Sequence, residues 1–363
     1  MTKLFQTRTS VHDPASSLAQ RQAARGQSYQ LMLGLVITGQ LMSFGALYLL
    51  PAAATSAWIA VLLQAVPFLA MRLLGRWLAA TAPEDAADTP RYRVAAGGMA
   101  LLFFSNMNVS LLSLVELTHV FFFPGAARWL LVLPAALALG LGIPSSPDAV
   151  PTTARLLRWF LAAAFLFCAV TVVPTGETGF LYPIWGYGPR HTLRCALRAA
   201  GSVWAAGALA VVMPREPDRH PLKDTIPGLT CIGLVALFFL CCAFVLPGSE
   251  LSARWGYAPR LQLLMEMSPN TLSWSLMLMA EMLLFLATFS VCADMLRRSL
   301  CLAFRARRLP LLPFTLACVP LALRGMGESE RLLLAVLPWR LPLAAGLMGL
   351  CLVGNLRRKG KTS

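Results

Sequence analysis

Charge is the scarcest commodity in this chain of 363 residues. Only 13% of positions are charged, about half the share of an ordinary soluble domain. With 57% hydrophobic residues and a mean hydropathy of +0.66, there are too few polar groups to coat a large globule. That excludes a soluble enzyme and a disordered tail. Histidine is nearly absent: His12, His119, His191 and His220 are the only four, and His12 and His220 fall in polar segments far from any shared site. There is no P-loop, no H-E-x-x-H and no G-x-S-x-G, so no catalytic constellation and no cofactor cradle is expected. The nine cysteines contain no C-x-x-C pair. They lack metal-ligand spacing and read as small packing residues, which also excludes a disulfide-stapled secreted module. Acidic residues are fewer than basic ones, 16 against 31. The basic residues stand in short clusters between apolar runs, the pattern of loop ends at a membrane, so the expected partner is a lipid bilayer and no nucleic acid is implied.

What is present is long apolar runs. A bilayer core of about 30 Å needs about 20 helical residues. The runs are continuous, without the alternation of a barrel strand, so backbone groups in lipid force helices. The expectation is an all-α polytopic membrane protein with about ten spans, at 29–50, 55–79, 95–123, 126–143, 153–173, 192–213, 225–247, 271–296, 308–324 and 332–355. Residues 1–28 form a polar N-terminal segment, 29–356 the transmembrane domain, and 357–363 a basic tail. The first run, near Tyr29, is too long for a signal-peptide core and should stay as an anchor. With the N-terminus inside, 22 Lys and Arg fall on the cytoplasmic side and 8 outside, with Arg340 within the last span. That split favours an even number of spans with both ends cytoplasmic.

Ten spans divide into halves of five, about 29–173 and 192–356. Because five is odd, the second half enters the membrane in the opposite sense, the inverted-repeat plan of many secondary transporters. That plan predicts interruptions in the first span of each half. Span one carries Gly34, Gly39 and Gly45 with Thr38, Gln40 and Ser43 between them; span six carries Gly201, Ser202 and Gly207 around Trp204. Glycine allows a helix to unwind, and freed amide and carbonyl groups then suit a ligand's carboxylate and ammonium. Small residues also let helices pack closely, so both readings stand. Glu281, mid-span in the eighth run, shares a helical face with Thr288 and Cys292; an ionisable group there is a gate, a ligand contact or a hydrogen-bonded neutral acid. In span three, Asn106, Ser110 and Ser113 form one stripe that should face the bundle interior, with Glu116 at its edge, while Asn108 and His119 lie opposite. Asp294 and Arg298 are placed as an i,i+4 ion pair.

Several segments are familiar in combination. Span one ends Leu49-Leu50-Pro51, followed by Ala57-Trp58-Ile59-Ala60-Val61-Leu62-Leu63. Span three closes Glu116-Leu117-Thr118-His119-Val120-Phe121-Phe122-Phe123. Ala154-Arg155-Leu156 and Leu181-Tyr182-Pro183-Ile184-Trp185-Gly186-Tyr187-Gly188-Pro189 follow, and the chain ends Arg357-Arg358-Lys359-Gly360-Lys361. From residue 29 onward this order resembles the B subunits of spore germinant receptors, of the amino acid/polyamine/cation (APC) transporter superfamily. The resemblance implies a ten-helix APC/LeuT-like 5+5 inverted repeat in the inner membrane of a bacterial spore. It implies an A-type membrane subunit and a C-type lipoprotein as partners. It also implies a small germinant, often an amino acid, held among spans one, three, six and eight. The broken first helix maps onto Gln40 to Ala46, where the family's glycine stretch is Phe44-Gly45-Ala46. Trp204-Ala205-Ala206 occupy the place of an acidic residue in the sixth helix, and Pro269-Asn270-Thr271-Leu272-Ser273-Trp274 open the eighth. The candidate ligand-binding residues are Thr38, Gly39, Gln40, Ser43, Gly45, Asn106, Ser110, Gly201, Ser202, Gly207 and Glu281. Two other uses of the same architecture stay open: an amino acid transporter, proton-coupled through Glu281, and a structural subunit that binds no ligand.

Overall fold

The computed structural model describes residues 32–83, 86–142, 149–212, 225–252, 257–267, 271–306, 309–324 and 326–362. The polar segment expected over 1–28 lies outside them, as do Arg215, Arg219, Lys223, Arg307 and Arg308. Among the described residues, ten helices build the bundle. They are α1 (32–53), α2 (57–81), α3 (Pro90–Phe121), α4 (Trp129–Gly142), α5 (Ala149–Val172), α6 (Pro189–Val212), α7 (Ile226–Val245), α8 (Thr271–Phe304), α9 (Leu312–Arg324) and α10 (Met326–Thr362). No strand occurs among the described residues. The protein is a multi-pass membrane protein.

Local sequence explains the helix ends. Proline occupies the first turn of α3, α6 and α7, where its missing N–H has no intrahelical partner to lose and its fixed φ suits the helix. Between α1 and α2 the chain turns at Ala54, whose φ is 49°. Two helices run on past their apolar stretches. α8 continues to Phe304, past the charged Arg297 and Arg298, and α10 takes in the expected basic tail as far as Thr362. A helix that leaves the bilayer has no reason to stop at the first charge. Two short helices, Gly248–Ser252 and Tyr257–Met267, also stand in what reads as a loop between α7 and α8.

The packing is that of two inverted halves. With α1–α5 matched to α6–α10, α3 and α8 correspond to each other and form the largest interface. α3 against α10 mirrors α8 against α5, and α2 against α10 mirrors α7 against α5. α2–α7 and α4–α9 are each their own mirror image. α6 packs on α2, and in the matching place α1 packs on α7 through Gly34 beside Cys231 and Gly45 beside Phe239. The apolar stretches of α6 and α3 are 82% and 72% buried and that of α10 only 33%. α3 and α6 are therefore central, while α10 turns Trp339 and Leu343 outward to lipid.

At the face opposite the end of α10, the connection between α5 and α6 is laced onto the α1–α2 turn. Thr55 Oγ1 donates to the Pro183 carbonyl at 2.6 Å, and His191 Nε2 lies 2.9 Å from the Ala52 carbonyl. Ser56 and Thr192 share a hydroxyl hydrogen bond of 2.8 Å. Gly186 sits at φ 53°, with its open side on the Ala53 carbonyl. A side chain there meets both left-handed backbone strain and a main-chain oxygen. Gly186→Val is expected to lower stability by about 1–3 kcal/mol, read as a lower unfolding midpoint in detergent; an unchanged midpoint would show that this lacing is dispensable.

Candidate functional site

α1 and α6 both depart from α geometry part-way along. In α1 the residues Gly45–Leu49 form a π turn, and in α6 the residues Ala200–Gly207 run as a 3-10 helix. Both helices remain helical through these segments. Six of the eight residues of the 3-10 stretch are Ala, Gly or Ser, whose small side chains tolerate the eclipsed i,i+3 rows of that geometry. π turns and mid-helix 3-10 segments are common at functional sites and hinges, because each leaves the i,i+4 ladder out of step. One of the exposed carbonyls, that of Ala206, lies 3.5 Å from Arg72 Nη1 of α2.

α10 crosses both departures. Its Leu337 carbonyl lies directly against Gly201 at the start of the 3-10 segment. One turn on, Arg340 is fully buried. Its guanidinium lies 4.7 Å from the ring centre of Phe44, the residue before the π turn. Nη1 donates to Asn106 Oδ1 at 2.8 Å and Nη2 to Ser105 Oγ at 2.5 Å, both on α3. Among the described residues Nε–H finds no acceptor, and no carboxylate pairs with Arg340. Pro338 and Pro342 flank it inside α10 and remove two backbone donors from the helix. From Asn106, one turn along α3, Phe103 meets Trp204 of the 3-10 segment edge-on at 5.0 Å. α1, α3, α6 and α10 thus converge on one cationic centre.

The polar groups around this centre are short of partners. Among the described residues, both side-chain amide atoms of Gln40, one turn before Phe44, have none, and neither do Asn106 Nδ2, Ser202 Oγ and Trp204 Nε1. All four residues are buried. A buried polar group left unpaired costs about 1–3 kcal/mol, and each such group in a native structure calls for an explanation.

The remaining expected residues are distributed as follows. Thr38 Oγ1 donates to Gly34 O at 2.8 Å, within its own helix. Gly39 is covered by Thr288 of α8, whose hydroxyl donates to Leu35 O at 3.3 Å. Ser43 and Ser113 bond across α1 and α3 at 3.2 Å. Gly45 lies on the Phe239 ring of α7. Ser110 is buried with the rest of the α3 stripe, as its spacing predicts. Gly207 is wedged between the Met71 carbonyl of α2, 2.7 Å from an added Cβ, and Met348 of α10. Glu281 is fully buried on α8, together with Thr288 and Cys292 of the same face. Asp294 binds both Arg297 and Arg298 at 2.7 Å, so the expected i,i+4 pair is present and extended. Glu116 meets Arg128 at 3.4 Å.

The comparison with solved structures bears on the fold. The crystal structure of the Eremococcus coleocola manganese transporter, bound to an aromatic bis-isothiourea substituted compound, is similar over 91% of this chain and 77% of that one, with a TM-score of 0.54 and 13% identity. A mutant of the same transporter gives 0.56 at 12% identity, over 89% of this chain and 75% of that one. The chain has a transporter fold. No protein-family model matches the sequence, and no curated protein does. At such identity the likeness is one of backbone alone.

Sequence reasoning missed the residue at the heart of the site. Arg340 was visible only as a basic residue inside the last span, and an ionisable group at membrane depth is a functional candidate by default. Nothing in the sequence tells which way it points on a lipid-facing helix. Among the described residues no group of three His, Cys, Asp or Glu could hold a metal ion. A separate cavity of about 600 Å³ lies between the start of α3 and the end of α10, lined by Arg91, Tyr92, Asn355 and Arg357 among others.

Proposed function

We propose that the protein binds a small carboxylate-bearing solute, an amino acid being the expected class, where α1, α3, α6 and α10 meet. Binding then shifts the chain between two packings of α1 and α6. The observation that carries this reading is that Gln40, Asn106, Ser202 and Trp204, on the helices that meet at the two discontinuities, each bury a polar atom with no partner among the described residues. A solute with acceptors and donors satisfies them together. It acts only if it prefers one packing, and a coupling of about 1–3 kcal/mol is typical.

Two uses of such a site have support. The resemblance of the Trp58 segment and the Leu181 to Pro189 connection supports a germinant-sensing subunit in a spore inner membrane, with an A-type membrane subunit and a C-type lipoprotein. The likeness to transporter structures supports transport. Manganese, the cargo named for those neighbours, does not suit this centre: a buried guanidinium repels a divalent cation, and the described residues offer no carboxylate or imidazole cluster to hold it.

The test is equilibrium binding of labelled amino acids to the purified protein, followed by uptake into proteoliposomes. Saturable binding is expected. Gln40→Leu removes two unpaired polar atoms, so it should raise the unfolding midpoint, by the equivalent of about 1–3 kcal/mol, while weakening binding. A variant that binds as tightly as the parent and melts lower would defeat the proposal. Uptake separates transport from sensing; reading frames for A-type and C-type partners beside the gene favour sensing.

A further inference from the structure

We infer that Arg340 is an anion-binding group, and that its ligand is a small monovalent anion: the carboxylate of the solute or a halide ion. This rests on the solute-site reading and names the chemistry of one part of that site. Arg340 has zero exposure at membrane depth. A charge at the bilayer centre is unfavourable by about 2.5–3.5 kcal/mol even on the insertion scale, and a buried ion is ordinarily paired. Here both hydrogen-bond partners, Asn106 and Ser105, are neutral, the flat face is taken by Phe44, and Nε–H has no acceptor. The carboxylates of the described residues that pair with arginine are elsewhere, at Glu116 with Arg128 and Asp294 with Arg297 and Arg298.

Neutral acceptors orient a guanidinium without cancelling its charge. A purely structural clamp needs no charge at all, since a neutral donor could bridge Asn106 and Ser105 in the same way. The full positive charge is explained by a counter-charge arriving from outside the chain. Its position adds a mechanism: the group that meets the anion also touches the residue before the π turn of α1, and its helix leans on Gly201 of α6. An anion drawn to Nε therefore acts on the π turn of α1 through the Arg340 side chain and on the 3-10 segment of α6 through the helix that carries it.

The experiment is thermal unfolding of the full chain in detergent, in a sulfate background of constant ionic strength, with sodium chloride, sodium acetate, glycine or glycine methyl ester added. A saturable rise in midpoint is expected with at least one of the monovalent anions and none with the ester, which lacks a carboxylate. A rise with acetate and glycine assigns the site to a carboxylate; a rise with chloride alone assigns it to a halide. Arg340→Gln should abolish the rise. Because that variant risks misfolding, Asn106→Asp is the second arm. It supplies a fixed counter-charge in place of the acceptor now at 2.8 Å. It should fold, melt higher than the parent without added anion, and lose the anion response by about tenfold or more in apparent affinity. Aggregation of Asn106→Asp, an anion response equal to that of the parent, or no response in the parent overturns the inference. Glycine binding that survives Asn106→Asp unchanged keeps the solute site and removes Arg340 from it. Chloride stabilisation without any amino acid binding does the reverse.

Discussion

Gly201→Val is expected to eliminate recoverable folded protein. An added Cβ at Gly201 would overlap the Leu337 carbonyl oxygen and stand 2.9 Å from its carbon, with Leu337 Cδ1 at 3.2 Å. Most overpacking is relieved by a side chain stepping aside and costs about 1–3 kcal/mol. Here the obstacle is main chain of α10 inside its own hydrogen-bonded ladder, so relief requires the helices to separate at the place where α6 and α10 support the site. The measurement is monodisperse yield by size-exclusion in detergent. Gly233→Ala and Gly346→Ala are the controls. Neither glycine has a neighbour within 4 Å of an added Cβ, and both gain helix propensity of up to about 1 kcal/mol. Full yield for Gly201→Val would mean that the α6–α10 crossing is looser than described.

Asn106→Leu is expected to be the most damaging change that leaves the backbone alone. It withdraws the Oδ1 that accepts from Arg340 Nη1 and puts hydrocarbon against a buried guanidinium. Hydrogen bonds to charged groups contribute about 1.5–3 kcal/mol, and stripping a partner from a buried charge about 3–5 kcal/mol. A loss near 3 kcal/mol, measured by denaturation in mixed micelles, is the expected size. Ser105→Ala should cost less, since Ser105 is only half-buried and the guanidinium keeps its bond to Asn106. Pairing Asn106→Leu with Arg340→Met should restore part of the stability, because an apolar pair of similar shape strands no charge. No restoration would place the damage in packing.

Much of the architecture was legible in the residues themselves. The ten apolar runs and the odd five-helix unit lead to inverted halves, and the α3 stripe of Asn106, Ser110 and Ser113 is buried as its spacing predicts. The glycine clusters of spans one and six marked where α geometry fails, at Gly45–Leu49 and Ala200–Gly207. Hydropathy did not show what form the failure takes. A π turn and a 3-10 segment differ from an unwound stretch in backbone dihedrals and hydrogen bonding, and composition does not encode that choice. It was also silent on the helical extensions of α8 and α10, where propensity continues after hydrophobicity ends.

The sequence by itself determined membrane residence, helix number and the pairing of halves. Each of these follows from local quantities: the length of an apolar run, the energy of a backbone amide in lipid, and the placing of arginine at loop ends. Only the tertiary structure decided what the site is. Asn106 and Arg340 are 234 positions apart, and their meeting depends on how far α10 is rotated about its own axis. That rotation is set by the sum of many weak packing contacts across the bundle, such as Leu337 on Gly201 and Met348 on Gly207. No run of neighbouring residues carries that information.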